Sequence, residues 1–194
     1  MMKLINFLRV SSSHQHRLLR EFLKEVEANA NDLLLHNNVR WLSKGNVLER
    51  FWSIRTEVAA FLVQLKSQKA RPFSLFLQDE STLDNIAFLV DITSHLNELN
   101  LKLQGKNNSI CDLMTAVRSF QRKLDLFKED LQGECLHFTK VKGQIEGKRD
   151  VSPFVEFINK LIGNFSKRFD SFSLGQQILL FIHNPFLIKD VRVF

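Results

Sequence analysis

Tyrosine is absent from this chain, and cysteine, proline and glycine are scarce: two Cys, three Pro and seven Gly in 194 residues. Two cysteines, Cys111 and Cys135, cannot build the disulfide framework of a small secreted domain, and they fit a reducing compartment. So few Pro and Gly leave little room for tight turns and favour long, uninterrupted elements. The longest purely apolar runs, IAFLV at 86–90 and ILLFI at 178–182, fall far short of the ~20 residues a bilayer demands. The opening MMKLINFLRV has only LINFL before Arg9, and no small-residue cleavage site follows, so no secretion signal is read. These absences point to a soluble, intracellular chain without a membrane partner. Also missing are a nucleophile elbow, a phosphate-cradling Gly-rich loop and paired cysteine doublets. Accordingly no catalytic residue, no cofactor and no metal is read from the sequence.

What is present is phenylalanine, with 18 residues against two Trp. Phe fills cores without needing a hydrogen-bond partner. Hydrophobic residues make up 44% and charged residues 25%, ordinary for a globular chain with room for one domain. The formal charge is +6, distributed as +4 over residues 1–80, −1 over 81–131 and +3 over 132–194. The basic excess falls in three loose groups: Arg40, Lys44, Arg50 and Arg55; Lys66, Lys69 and Arg71; and Lys140, Lys142, Lys148 and Arg149. Such groups suit phosphate contact, but no dense basic run is among them.

The stretch 81–133 organises the pattern. Leu89, Ile92, Leu96, Leu99 and Leu103 recur at helical spacing, as do Ile110, Leu113, Val117, Phe120, Leu124, Phe127 and Leu131. Ser81 with Asp84, and Ser109 with Asp112, have the spacing of N-terminal capping boxes. Gly105 and Gly133 stand where a left-handed residue would close each helix. The prediction is an antiparallel helical hairpin over 81–133, each helix ~22 residues and about 33 Å long. Around it the pattern predicts a short helix over 1–10, a helix over 16–28, a looped segment over 30–42 and a long helix from Ser43 to about Lys66. A linker follows over 67–80, then a loop with one helical turn over 134–150. Ser152 and Pro153 open a further helix, and a last short one covers Leu174–His183. The expected fold is therefore all-α, a multi-helix bundle centred on the hairpin, as a single helical domain over 1–194.

Each candidate site has a plain structural alternative. His14 and His16 have two-residue spacing but no partner cluster, and are read as a surface pair; Cys135 and His137, spaced alike, are read as structural. His95 is read as a boundary residue paired with Asp91 or Glu98 by helical spacing. The numerous acids sit where helix ends and solvent faces favour them. Trp41 is sharper: a Trp beside Arg40 can stack on an unpaired base while the guanidinium holds phosphate. The alternative, that Trp41 anchors a loop on the helical core, stands ahead on the residues alone.

Two stretches carry a family resemblance. VRWLSKGNVLERFWSIRTEVAAFL, residues 39–62, resembles the Arg-Trp segment of hAT-type transposases and their domesticated relatives. FLVDITSHLNELNLKLQGK, residues 88–106, with VRSFQRKLDLFKEDL after it, is similar to vertebrate proteins derived from that transposase and to BED-type zinc-finger relatives. The likeness extends to FDSFSLGQQILLFIHNPF near the end. It implies a helical domain inserted into an RNase H-like fold whose three catalytic acids lie outside the helices, two before the Arg-Trp segment and one after. This chain is then expected to begin after the second acid and end before the third, so that no residue inherits a catalytic role. Neither the family's BED zinc finger nor its C-terminal dimerisation segment is expected here. Arg40 and Trp41 match the pair that active relatives associate with a flipped base at the cleaved DNA end. The resemblance implies a nuclear, non-enzymatic domain acting in protein interaction or scaffolding. The alternative is a DNA-binding module using Arg40, Trp41, Lys44 and the flanking basic groups.

Overall fold

The computed structural model describes residues 1–35, 41–106, 108–145 and 150–169, with Ile178, Phe181, Asn184 and Phe186 as single positions beyond them. Among the described residues there are nine helices and no strand, the all-α architecture expected. They are α1 (Met2–Arg9), α2 (Ser13–Glu25), α3 (Trp41–Ser53), α4 (Arg55–Gln64), α5 (Arg71–Gln78), α6 (Glu80–Leu103), α7 (Ile110–Gln132), α8 (Thr139–Ile145) and α9 (Ser152–Phe169). Most of the helix expected at Leu174–His183 lies outside the described residues.

The described residues gather in two compact units, Met1–Asn97 with Phe138–Gly147, and Glu98–His137 with Lys148–Phe194. The division falls inside α6, within the stretch the sequence reads as one hairpin. In the first unit, Ser12 caps α2 by accepting the Gln15 N–H at 3.3 Å. Leu4, Ile5 and Leu8 of α1 and Leu19 and Leu23 of α2 are all buried. Aromatic pairs join further elements of this unit: Phe22 to Phe61 with ring centroids 5.6 Å apart, Phe7 to Phe73 at 4.9 Å and Phe88 to Phe138 at 5.8 Å. The Phe-rich composition thus becomes interhelical packing.

The single helix expected from Ser43 to Lys66 is two. The chain breaks at Ile54, a fully buried residue whose N–H reaches the Phe51 carbonyl in a tighter turn at 3.3 Å. Side chains draw on the neighbouring carbonyls. Ser53 Oγ donates to the Arg50 carbonyl at 2.8 Å and Arg55 Nη1 to the Trp52 carbonyl at 2.9 Å. Such local bonds compete with the helical ladder. The linker expected over 67–80 contains α5 instead, with Pro72 in its first turn and Leu77 buried.

The start of α6 also differs from expectation. Asp79, not Ser81, caps it, accepting the Thr82 N–H at 3.0 Å and the Thr82 hydroxyl. From Ile86 to Ile92 this helix is buried nearly all round, with Leu89 the exposed exception, so its apolar set is wider than one stripe.

In the second unit, α7 packs on α9. Val117, Phe120, Leu124, Phe127 and Leu131 are buried as the stripe predicts, although Ile110 at its start is 60% exposed. Phe120 meets Phe165 at 5.4 Å. The Ser109–Asp112 capping box is formed in both directions. Gly133, however, is not left-handed, having φ −113°. That role falls to Cys135 at φ 50°, whose N–H reaches the Asp130 carbonyl at 2.9 Å. The Asp130 carboxylate then accepts the N–H groups of Leu136 and His137, both at 2.7 Å, and closes the helix end.

Candidate functional site

Of the three residues singled out for nucleic-acid contact, Arg40 lies outside the described residues. Trp41 opens α3, and the description of its side chain is likewise outside them. Lys44 is half-buried one turn further along the same helix. Gly45 beside it is buried against α6: a Cβ there would lie 2.2 Å from Asn97 Nδ2. Glycine at this position lets the first turn of α3 approach Asn97 closely.

Three of the cations expected to flank this site have partners within the chain. Arg50 Nη1 donates to the Asp32 carbonyl at 3.4 Å. Arg55 lies over the Trp52 ring at 3.9 Å, a cation–π contact. Burial lowers the Arg55 pKa from its ordinary value, while Glu57 pulls it the other way. Lys140 Nζ pairs with Glu49 at 3.2 Å. Lys148 and Arg149 lie outside the described residues.

Two carboxylates that the sequence did not single out tie separate elements together. Asp32 faces His16 Nε2 at 3.0 Å and Arg9 at 3.3 Å, and accepts the Leu33 N–H at 2.8 Å. It thereby anchors the segment after α2 to both α1 and α2. Asp91, on α6, is 6% exposed and accepts the backbone N–H groups of Lys140 at 2.9 Å and Val141 at 3.1 Å. It caps α8 from a residue far away in the chain. Burial raises its pKa to about 6, against the opposing pull of those two N–H groups and of Lys140; Glu49 adds to the rise. Convergence of this kind has no local signal, which is why neither node was legible.

The histidines of both two-residue pairs have partners within the chain. His14 Nδ1 meets Arg17 at 3.3 Å, His16 meets Asp32, and His137 Nδ1 lies 3.2 Å from Asp130. His95 packs edge-on against Phe138 at 5.9 Å. Among the described residues no three His, Cys, Asp or Glu side chains gather as a metal would need. Cys111 is buried and Cys135 half-buried, both as thiols. No helix of the described residues is long and apolar enough to cross a membrane.

The chain is 30% identical over 175 residues to the bovine (Bos taurus) general transcription factor II-I repeat domain-containing protein 2, covering 90% of this chain and 18% of that protein. It is 30% identical over 165 residues to the mouse (Mus musculus) protein of the same name, covering 84% and 17%. The chain thus spans less than a fifth of the length of these curated relatives. No solved structure matches significantly. A family model for the FAM200/GTF2IRD2 helical domain matches residues 1–132, which takes in α1 to α7. The chain belongs to the FAM200/GTF2IRD2-like helical domain family.

Proposed function

We propose that this chain is a non-catalytic helical domain derived from an hAT-type transposase, related to BED-type zinc-finger proteins, that acts in protein interaction and scaffolding in the nucleus. The observation that carries this reading is the commitment of the central cations: Arg50, Arg55 and Lys140 are engaged inside the chain. Cations held by carbonyls, an indole and a carboxylate are poor phosphate ligands, because each must first give up its partner. The relatives are named for a general transcription factor II-I repeat domain, which supports the nuclear assignment. The family model's description, a helical domain, suits a scaffold that presents surfaces.

One observation favours a second reading, a DNA-binding module. Trp41 and Lys44 sit one turn apart in the first turn of α3, next to Arg40 in sequence. That spacing suits one base stacked on the indole and one phosphate on the ammonium. Titrating DNA binding against salt separates the two readings. The interaction reading expects weak binding, unchanged by Trp41→Ala. Nanomolar binding that falls steeply with salt and is lost in Trp41→Ala would overturn it. Metal-dependent strand cleavage by the purified chain would overturn the non-catalytic assignment.

A further inference from the structure

Between Val58 and Gln78 the chain has no acidic residue but three cations, Lys66, Lys69 and Arg71. They occupy the corner between α4 and α5, and all three side chains are exposed. They differ from Arg50, Arg55 and Lys140 in that their side chains make no hydrogen bond or ion pair within the described residues.

The corner is also held in shape. The Ala70 N–H reaches the Ser67 carbonyl at 2.9 Å, and the Lys69 N–H reaches Ser67 Oγ at 3.2 Å. Ala70 is buried, and Lys66 has left-handed backbone at φ 43°. Phe73, two residues beyond Arg71, stacks on Phe7 of α1. The three cations therefore project from a backbone already fixed, which lowers the entropy lost when a ligand binds them.

Large aliphatic side chains stand beside them. Val63, in the last turn of α4, is 63% exposed, and its carbonyl accepts at 3.4 Å the N–H of Lys66, which lies just past the helix end. Leu75 is 58% exposed and lies four residues after Arg71, on the same face of α5. Each helix thus brings one solvated aliphatic group to the corner; Lys66 and Lys69 lie in the connection and Arg71 opens α5.

That composition discriminates between polyanions. A nucleic-acid backbone would use the cations but offers Val63 and Leu75 nothing to pack against, and three phosphate contacts alone give weak, salt-labile binding. A helix with a carboxylate flank and an apolar stripe uses both kinds of side chain. We propose that the α4–α5 corner is a docking surface for an acidic amphipathic helix of a protein partner, its carboxylates held by Lys66, Lys69 and Arg71 and its apolar stripe by Val63 and Leu75. This rests on the interaction-domain reading above and supplies its surface and partner chemistry.

The test uses residues 1–194 and a fluorescent synthetic helical peptide carrying Glu on one flank and Leu at helical spacing. A composition-matched scrambled peptide and a short DNA duplex serve as competitors. Binding of the helical peptide is expected to exceed that of the scrambled one. It should weaken about tenfold in the combined Lys66→Glu, Lys69→Glu and Arg71→Glu variant, and about threefold in Leu75→Ser. Thermal unfolding of the variants should match the parent because all four side chains are exposed. If the triple variant unfolds early, single Ala replacements give the same comparison. Equal binding of the scrambled peptide, or unchanged binding by the charge variants, overturns the proposal. So does a duplex that outcompetes the peptide through the same three cations. The interaction reading fails by a different signature, DNA binding that depends on Trp41 while the corner variants leave it unchanged.

Discussion

Asp32 and Asp91 do the same architectural job in opposite surroundings. Each ties a backbone segment to a helix distant in sequence. Asp32 is about a quarter exposed and faces two potential cations, Arg9 and His16. Asp91 is nearly sealed, and the cation nearest in sequence to its ligands, Lys140, gives its Nζ to Glu49 instead. Asp91 is left with two backbone N–H groups, whose partial charges offset its desolvation only in part, hence the raised pKa. A half-solvated carboxylate with cations is cheap to keep ionised and contributes modestly. A buried one held by peptide dipoles is specific in geometry but carries a standing electrostatic cost.

The difference is broken most severely at Phe138, the residue just before α8. It is fully buried, stacks on Phe88 and receives the edge of His95. If apolar packing, with Asp91 only aiming the helix, is what holds α8, Phe138→Ala should cost ~3–5 kcal/mol in urea unfolding. A loss no larger than that from removing the Asp91 side chain would reverse that ranking.

The second effect is pH-dependent. Because the folded pKa of Asp91 is raised from 3.8 to about 6, its contribution is most favourable below pH 3.8 and is lost as pH rises through 6. Asp91→Asn keeps an oxygen for the two N–H groups and removes the charge. Relative to the parent, the variant should gain up to about 3 kcal/mol between pH 4 and pH 7, taking roughly 1.4 kcal/mol per pKa unit. Unfolding midpoints of both proteins across that range measure the gap directly. Parallel curves would mean that the Asp91 carboxylate titrates as it does in the unfolded chain.

How far these features were legible follows the range of the interactions. The capping box of Ser109 and Asp112, the buried face of α7 and the Ser152–Pro153 start of α9 depend on residues within a turn or two of one another, and the sequence spells them out. The break at Ile54 hides inside an unbroken apolar period, because its cause is Arg55 and Ser53 taking carbonyls, which periodicity does not register. Helix α8 reads as a loop with one turn, since Asp91, 49 residues before Lys140, is its cap. The left-handed backbone at Cys135 was assigned to Gly133 on glycine's steric freedom, although the Asp130 carboxylate shapes that turn. As for the candidate site, sequence placed Trp41 and Lys44 together, and the structure sets both in one turn of α3. The engagement of Arg50 and Arg55 within the chain was not legible, because a basic residue in a sequence carries no mark of its partner.

A third, smaller effect concerns Asp32. Asp32→Asn keeps the size and the acceptor for the Leu33 N–H but removes the charge facing Arg9 and His16. A loss of about 1–2 kcal/mol is expected at pH 6, measured as a urea midpoint shift. The double-mutant cycle with Arg9→Leu isolates that pair, for which about 0.5–1 kcal/mol of coupling is expected at its partial exposure. Coupling near zero would reassign the work to His16 and the Leu33 N–H.

The smallest effect separates the two carboxylates without altering their chemistry. Mobile ions screen charges that water reaches, over a Debye length that shrinks to about 3 Å at 1 M salt. The Asp32 cluster is open to such ions, whereas the Asp91 carboxylate and the N–H groups it holds are enclosed by α6 and α8. Raising sodium chloride from low concentration to 1 M should therefore shrink the Asp32→Asn penalty by a few tenths of a kcal/mol. Over the same range the difference between Asp91→Asn and its parent should stay constant, because general salt effects on burial cancel between two proteins that differ by one atom type. Equal salt sensitivity in the two comparisons would mean that water and ions reach Asp91 as freely as Asp32. The physical basis for its raised pKa, exclusion from solvent, would then have to be abandoned.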